Sequence, residues 1–223
     1  MKYKNRELKI TCDGGASTGK STGGKLIAKK YKLAFLSSGL LYRYASYLII
    51  KHKPEKKNFF LKKKFENLNY KKLYSINLHS PDISLYADKI AKLKNVRSIL
   101  KKFQVNFIKK NKGCVLEGRD ASTKIIPGSD VKFFFICNLN IAAKRRYNEL
   151  KKSSKKLNFK EVKQALYDRN YKDSSRKISP LQKHPDAVVV DTGKLNKLAM
   201  IAKMSKYVER VLKKKYGNRT RIK

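Results

Sequence analysis

Nine consecutive residues near the start of the chain, Gly14-Gly15-Ala16-Ser17-Thr18-Gly19-Lys20-Ser21-Thr22, have the types and spacing needed to hold a polyphosphate. Glycine, four residues, then Gly-Lys-Ser is the P-loop pattern. Its glycines let successive backbone N–H groups turn inward around phosphate oxygens, and a following helix N-terminus adds partial positive charge. Lys20 supplies a point charge for the β- and γ-phosphates. Ser21 offers a hydroxyl to Mg²⁺, which prefers oxygen ligands and keeps several waters. A Gly/Ser-rich turn could match this pattern by chance. Context opposes that reading, because the apolar run Leu8 to Cys12 precedes the loop and the helix-forming run Lys25 to Lys30 follows it. The motif leaves the second substrate open.

Arginine narrows the choice. The formal net charge is +40, yet only 11 of the 56 basic residues are arginine, and the lysines are spread through nearly every segment. Diffuse lysine makes a solvated basic surface, whereas the guanidinium fork suits bidentate phosphate contacts. Seven arginines, Arg43, Arg97, Arg119, Arg145, Arg146, Arg169 and Arg176, fall in segments that a strand end or a helix would position. Ser38 and Arg43 follow a short apolar run and would lie at the carboxyl edge of a parallel sheet, where open α/β folds bind ligands. The alternative for that pair is a capping serine and a surface arginine. Arg169, Asp173 and Arg176, at spacings of four and three, share one helical face if the helix persists that far.

The elements that must hold these residues follow from apolar runs. Strands are expected at Leu8–Cys12, Leu33–Leu36, Cys114–Glu117, Val131–Cys137 and Ala187–Val190, the fourth buried on both faces. Alternation with helices predicts an α/β fold with a five-stranded parallel sheet flanked by helices. One helix carries Arg145 and Arg146, Lys151 to Lys156 is a Lys/Ser run, and a second helix starts near Asn158 and stops at Pro180. A helix–loop–helix over 147–170 reads as a lid that excludes water from a phosphoryl group, with a solvated charged hairpin as the alternative. Residues 51–94 interleave lysines with Phe59, Phe60, Phe65, Tyr70 and Tyr74 and form an inserted lobe. Rings among lysines suit stacked single-stranded bases, but inward packing is the preferred reading. A helical stripe is expected through Leu85, Ile90, Leu93, Val96, Leu100, Phe103 and Phe107, with Arg97 off it. A last helix, Lys194 to Lys214, packs Leu195, Leu198, Ile201, Ala202, Val208, Val211 and Leu212 on the sheet, and 216–223 is a basic tail.

Composition bounds the rest. A chain of 223 residues with 41% hydrophobic residues suits one domain with inserted lobes. No apolar run approaches the ~18 residues of a membrane span, and the N-terminus lacks a signal-peptide core, so a cytoplasmic protein is expected. Cys12, Cys114 and Cys137 are odd in number and far apart, which suits reduced core thiols. His52, His79 and His184 are isolated, so no metal cage is expected from them.

The set Asp13-Gly14, Gly19-Lys20-Ser21-Thr22, Ser38-Gly39 with Tyr42-Arg43, Val96-Arg97, Gly118-Arg119-Asp120, Arg169, Asp173-Ser174-Ser175-Arg176 and Ser179-Pro180-Leu181 resembles the bacterial cytidylate kinases, in order and over nearly the whole chain. The resemblance implies a P-loop fold of the nucleoside monophosphate kinase type, with a lid and a monophosphate-binding insert at 51–94. It implies transfer of the ATP γ-phosphoryl group to CMP or dCMP with Mg²⁺. By the same resemblance, Ser38, Asp173 and Arg176 hold the acceptor ribose with Arg169 nearby, Arg43 and Arg119 grip its phosphate, and Arg97 and Asp120 approach cytosine. Lys20 and the lid arginines Arg145, Arg169 and Arg176 then stabilise the transferring group. Four positions depart from the family pattern. Ser37, Glu117 and Asn170 stand where the family usually has Asp, which weakens the acidic surroundings of Mg²⁺ or the arginines. Asp88 stands where it has Ser, and a carboxylate accepts from the cytosine N4 amine while repelling the O4 of uracil. A monomer without nucleic-acid or membrane partners is expected. The rivals are a same-fold kinase for UMP or another small acceptor, and a lysine-rich nucleic-acid-binding protein that has lost turnover.

Overall fold

A computed structural model describes residues 7–151 and 157–217. In chain order these form β1 (Leu8–Gly14), α1 (Lys20–Lys30), β2 (Ala34–Ser37), α2 (Ser38–His52), α3 (Lys57–Glu66), a 3-10 turn (Tyr70–Tyr74), α4 (Pro81–Ile90) and α5 (Lys94–Lys110). Then follow β3 (Gly113–Gly118), a π-turn (Ala121–Ile125), β4 (Val131–Ile136), α6 (Leu139–Lys151), α7 (Phe159–Ser175), β5 (Val188–Asp191) and α8 (Lys197–Tyr216). The sheet order is β2-β3-β1-β4-β5, with β1 parallel to β3 (Ile10 opposite Val115) and to β4 (Cys12 opposite Phe133), and β4 parallel to β5. This is the expected five-stranded parallel sheet. Because the strand order reverses at β1, the loop leaving that strand opens at the switch point where such sheets bind ligands. Among the described residues, no helix is long and apolar enough to cross a membrane.

Two compact units emerge: Leu36–Lys112, and the remainder of the chain. The core of the sheet-bearing unit joins Ile10, Cys12, Ile27, Phe133, Phe135 and Val190 to Met200, Met204, Val208 and Leu212. These last four recur every four residues and form the buried row of α8, each stabilising the fold by about 1.5–3 kcal/mol. The expected stripe was partly out of phase with that row. Leu198 is 79% exposed and Ala202 is exposed. The helix starts at Lys197 because Asn196 caps it, accepting from the Ala199 N–H at 2.8 Å.

β4 alternates rather than being buried on both faces. Val131, Phe133 and Phe135 are buried, Phe134 is half-buried and Ile136 is exposed, so period two survives where a continuous apolar run predicted none. Gly39 lies in the first turn of α2. Tyr216 ends α8, and 218–223, like the run 152–156, lies outside the described residues.

In the second unit α2 packs on α4, and α3 packs on α5. Segment 51–94 lies within it. Its aromatics pack inward at Phe65, which meets Tyr44 and Phe103 edge-on, and at Tyr70, which meets Phe107, while Phe59 is exposed. The single stripe from Leu85 to Phe107 is broken into two helices. α4 buries Ile83, Ala87 and Ile90 and leaves Leu85 in solvent, and the chain turns at Leu93, whose extended backbone starts α5. Each helix therefore selects its own buried face.

Candidate phosphate-binding site

Within the sheet-bearing unit, β1 ends at Gly14, whose φ is 155° and at which a Cβ would meet the Phe135 carbonyl oxygen at 2.5 Å. Only glycine fits beside β4 there. Gly19, at φ 81°, caps α1 in a left-handed conformation. Between them the loop closes on itself: the Thr18 hydroxyl donates to the Gly15 carbonyl at 2.9 Å, and Lys20 Nζ donates to the same oxygen at 2.8 Å. Ser21 and Thr22 stand exposed on the first turn of α1.

Lys20 is 5% exposed and lies 3.6 Å from Glu117, the last but one residue of β3. Burial lowers its ammonium to about 7, the Arg119 and Arg169 guanidiniums push in the same direction, and Glu117 and Asp173 oppose them. Its bond to Gly15 serves either protonation state, since an amine and an ammonium both donate.

Asp13 is fully buried, and its carboxylate accepts from the Ala121 N–H at 2.9 Å, the Ser122 N–H at 2.7 Å and the Ser122 hydroxyl at 2.6 Å. Burial raises this carboxyl, the hydrogen bonds from Ser122 and Ala121 oppose that, and Asp120 adds to the rise. The residue that leads into the glycine loop thus also holds the π-turn that follows Arg119 and Asp120.

Arg119 Nε donates to Asp173 Oδ2 at 2.7 Å, and Arg176 Nη1 donates to Asp173 Oδ1 at 3.2 Å. Burial alone would raise Asp173, but the charge and hydrogen bond of Arg119, then Arg176 and Arg169, hold it below the usual carboxylate range. Asp173 and Arg176 are brought together as expected, though not on one helix. α7 ends at Ser175, well before Pro180, and Arg176 is extended, with Nε donating to the Ser179 carbonyl at 2.6 Å. The Ser174 and Ser175 hydroxyls donate back to the Tyr171 carbonyl, which competes with the helix ladder. Arg145, on α6, donates to the Thr192 hydroxyl at 2.9 Å and the Thr192 carbonyl at 2.7 Å. That hydroxyl donates in turn to the Thr18 carbonyl at 2.8 Å.

In the second unit, Ser38 opens α2 and its hydroxyl is buried without a hydrogen-bond partner among the described residues. Arg43 donates to the Leu78 carbonyl at 3.1 Å and the Ser84 hydroxyl at 2.5 Å. Ser84 and Asp88 are one turn apart on α4. Arg97 does not point away from the buried stripe as expected. It is 8% exposed, lies 5.7 Å over the Tyr42 ring and donates to the Ala91 carbonyl at 3.1 Å. The helix break just before α5 frees that carbonyl for it.

Sequence reasoning missed two contacts of the glycine loop, Thr192 and Asn170, whose Oδ1 accepts from the Ala16 N–H at 2.8 Å, and the Asp13 staple just before the loop. A signal existed for each. Asp13 adjoins the loop, Thr192 closes a strand at the same sheet edge, and Asn170 neighbours Arg169. Among the described residues, no group of three His, Cys, Asp or Glu could hold a metal ion.

The cytidylate kinase family model matches residues 10–210. The chain is 35% identical over 207 residues to a cytidylate kinase of Bartonella tribocorum, covering 92% of this chain and 95% of the relative. It is 32% identical over 224 residues to one of Clostridium tetani, covering 95% and 98%. Among solved structures it is similar to an uncharacterized protein from Eubacterium ventriosum (TM-score 0.56, 14% identity, 92% and 99% covered) and to a shikimate kinase from Bacteroides thetaiotaomicron (0.50, 9%, 91% and 98%). These two speak for the fold alone. With the glycine loop, the Gly-Arg-Asp turn, Arg169 and Arg176 all inside the matched span, the chain belongs to the cytidylate kinase family.

Proposed function

We propose that this chain transfers the γ-phosphoryl group of ATP to CMP or dCMP, giving ADP and CDP or dCDP. The observation that carries this reading is the glycine loop closed on Lys20, with Asp173 holding Arg119 and Arg176, in a chain of this family. Gly14 to Thr22 bind the donor polyphosphate through backbone N–H groups, and Lys20 places its charge on the β- and γ-phosphates. A phosphate oxygen of the acceptor attacks the γ-phosphorus in line while the bond to the ADP oxygen breaks. Negative charge spread over the equatorial oxygens is met by Lys20, Arg145, Arg169 and Arg176, and no covalent intermediate with the protein forms. The Ser21 hydroxyl would hold Mg²⁺ beside the donor phosphates, where the ion would supply charge neutralisation.

By the family resemblance, the acceptor is assigned to Ser38, Arg43, Asp88, Arg97, Arg119, Asp120, Arg169, Asp173 and Arg176. Support for Ser38 comes from its buried hydroxyl, since leaving such a group unsatisfied costs about 1–3 kcal/mol and a ribose hydroxyl would relieve it. Asp173 uses one lone pair toward each of two arginines and keeps others for ribose hydroxyls. Residues 51–94 serve as the monophosphate-binding insert and 147–170 as the lid. The protein acts as a monomer in the cytoplasm, a reducing compartment that suits the free thiols of Cys12, Cys114 and Cys137. The test is a coupled ADP-release assay with ATP, Mg²⁺ and CMP, dCMP, UMP, AMP or GMP in parallel, with Lys20→Ala as control. Turnover with CMP and dCMP is expected, and none above the control would refute the assignment.

A further inference from the structure

The lid helix touches the donor loop through one side chain that the proposed chemistry leaves without a role. Asn170 Oδ1 accepts from the Ala16 N–H at 2.8 Å. The contact is tight: a Cβ added at Gly15 would meet Asn170 Oδ1 at 3.0 Å, Cγ at 3.3 Å and Nδ2 at 3.4 Å, and no other heavy atom is as near. Asn170 follows Arg169 directly on α7, and Asp173, less than one turn further on, binds Arg119 and Arg176. One helix therefore grips the glycine loop with residue 170 and the arginine cluster with residue 173. We infer that Asn170 is a positioning residue that docks α7 on the P-loop and thereby aims Arg169 at the transferring phosphoryl group. This rests on the proposed phosphoryl transfer. The amide suits the task because its oxygen accepts the loop N–H. Gly15 is the matching surface. It lacks a positive φ, so its want of a side chain is explained by the space that Asn170 fills.

Steady-state CMP phosphorylation by the full chain, with ATP varied, tests the inference on Asn170→Ala, Asn170→Asp, Gly15→Ala and the Gly15→Ala/Asn170→Ala pair. Asn170→Ala should lower kcat by about 10- to 100-fold, the size of loss that follows sub-ångström misplacement of a catalytic group, with the KM for ATP within about twofold. Asn170→Asp keeps an oxygen acceptor and should recover most of kcat. Gly15→Ala should be costly alone and cost nothing more once Asn170 is truncated. Amide hydrogen exchange at Ala16 should quicken in Asn170→Ala. An unchanged kcat, or a raised ATP KM with kcat intact, overturns the inference while leaving the transfer reading in place. If the wild-type chain shows no CMP-dependent turnover, the transfer reading fails, and unchanged exchange at Ala16 would then overturn the docking contact by itself.

Discussion

Binding of MgATP should draw a proton onto Lys20. In the free protein, burial and two neighbouring guanidiniums lower this lysine to about 7, so at pH 8 roughly one molecule in ten carries the charge. A triphosphate seated in the loop adds several negative charges beside Nζ and returns the group toward its ordinary value near 10.5. The difference is an uptake of about 0.9 proton per nucleotide at pH 8, falling to about 0.5 at pH 7. Isothermal titration of MgATP in buffers of small and large ionisation enthalpy reads the number directly as the slope of observed heat against buffer enthalpy. Lys20→Arg, which keeps its charge at every pH, should abolish the uptake. The same group links pH to stability. Its folded value lies below its unfolded one, so the unfolded chain binds more protons between about 7 and 10.5, and this contribution to stability rises with pH across that window. A slope near zero at pH 8, or one that does not change with pH, would refute the electrostatic account of the loop.

Three further outcomes are expected. Arg176→Ala should reduce kcat by at least ~100-fold, because arginines that meet the charge of a transferring phosphoryl group contribute that much or more. A near-normal rate would mean that its bond to Asp173 is only structural. Asp88→Ser should shrink the ratio of CMP to UMP turnover by about 1–3 kcal/mol of discrimination, and an unchanged ratio removes Asp88 from base reading. Asp13→Ala strands two buried N–H groups and should destabilise the fold by at least ~2 kcal/mol, seen as a lower urea midpoint at constant m-value. A midpoint shift of only a few tenths would show that water replaces the carboxylate.

Much of the architecture was legible because its signals are local. The glycine pattern announces a loop whose backbone only glycine can follow at Gly14, and five apolar runs between helices leave few arrangements other than a parallel sheet. What stayed hidden depends on tertiary choice. The row of α8 could be phased through Leu198 or through Met200 and Met204, and only the shape of the sheet face decides. The single stripe from Leu85 to Phe107 matched one helix, yet the chain breaks at Leu93 into α4, which buries Ile83, Ala87 and Ile90, and α5, which buries Val96, Leu100 and Phe107. Arg97 looked free because spacing alone cannot tell that Tyr42 and the Ala91 carbonyl offer a buried arginine both a ring and an acceptor. Within the site, the row Arg169, Asp173 and Arg176 was visible as types at helical spacing. That Arg119 would close on Asp173 from a residue 54 positions earlier was not.

The buried carboxylate of Asp13 bears on product release. It leads the chain into the glycine loop and, in the same act, holds the turn that follows Arg119 and Asp120. Loop and turn are thereby a common floor, and neither drifts without breaking three hydrogen bonds away from water. To this floor α7 adds one amide contact on Ala16 and two largely buried ion pairs on Asp173. On the proposed lid reading, α7 is the part that would swing for nucleotide exchange, while Asp13 keeps the donor loop and the Gly-Arg-Asp turn in register.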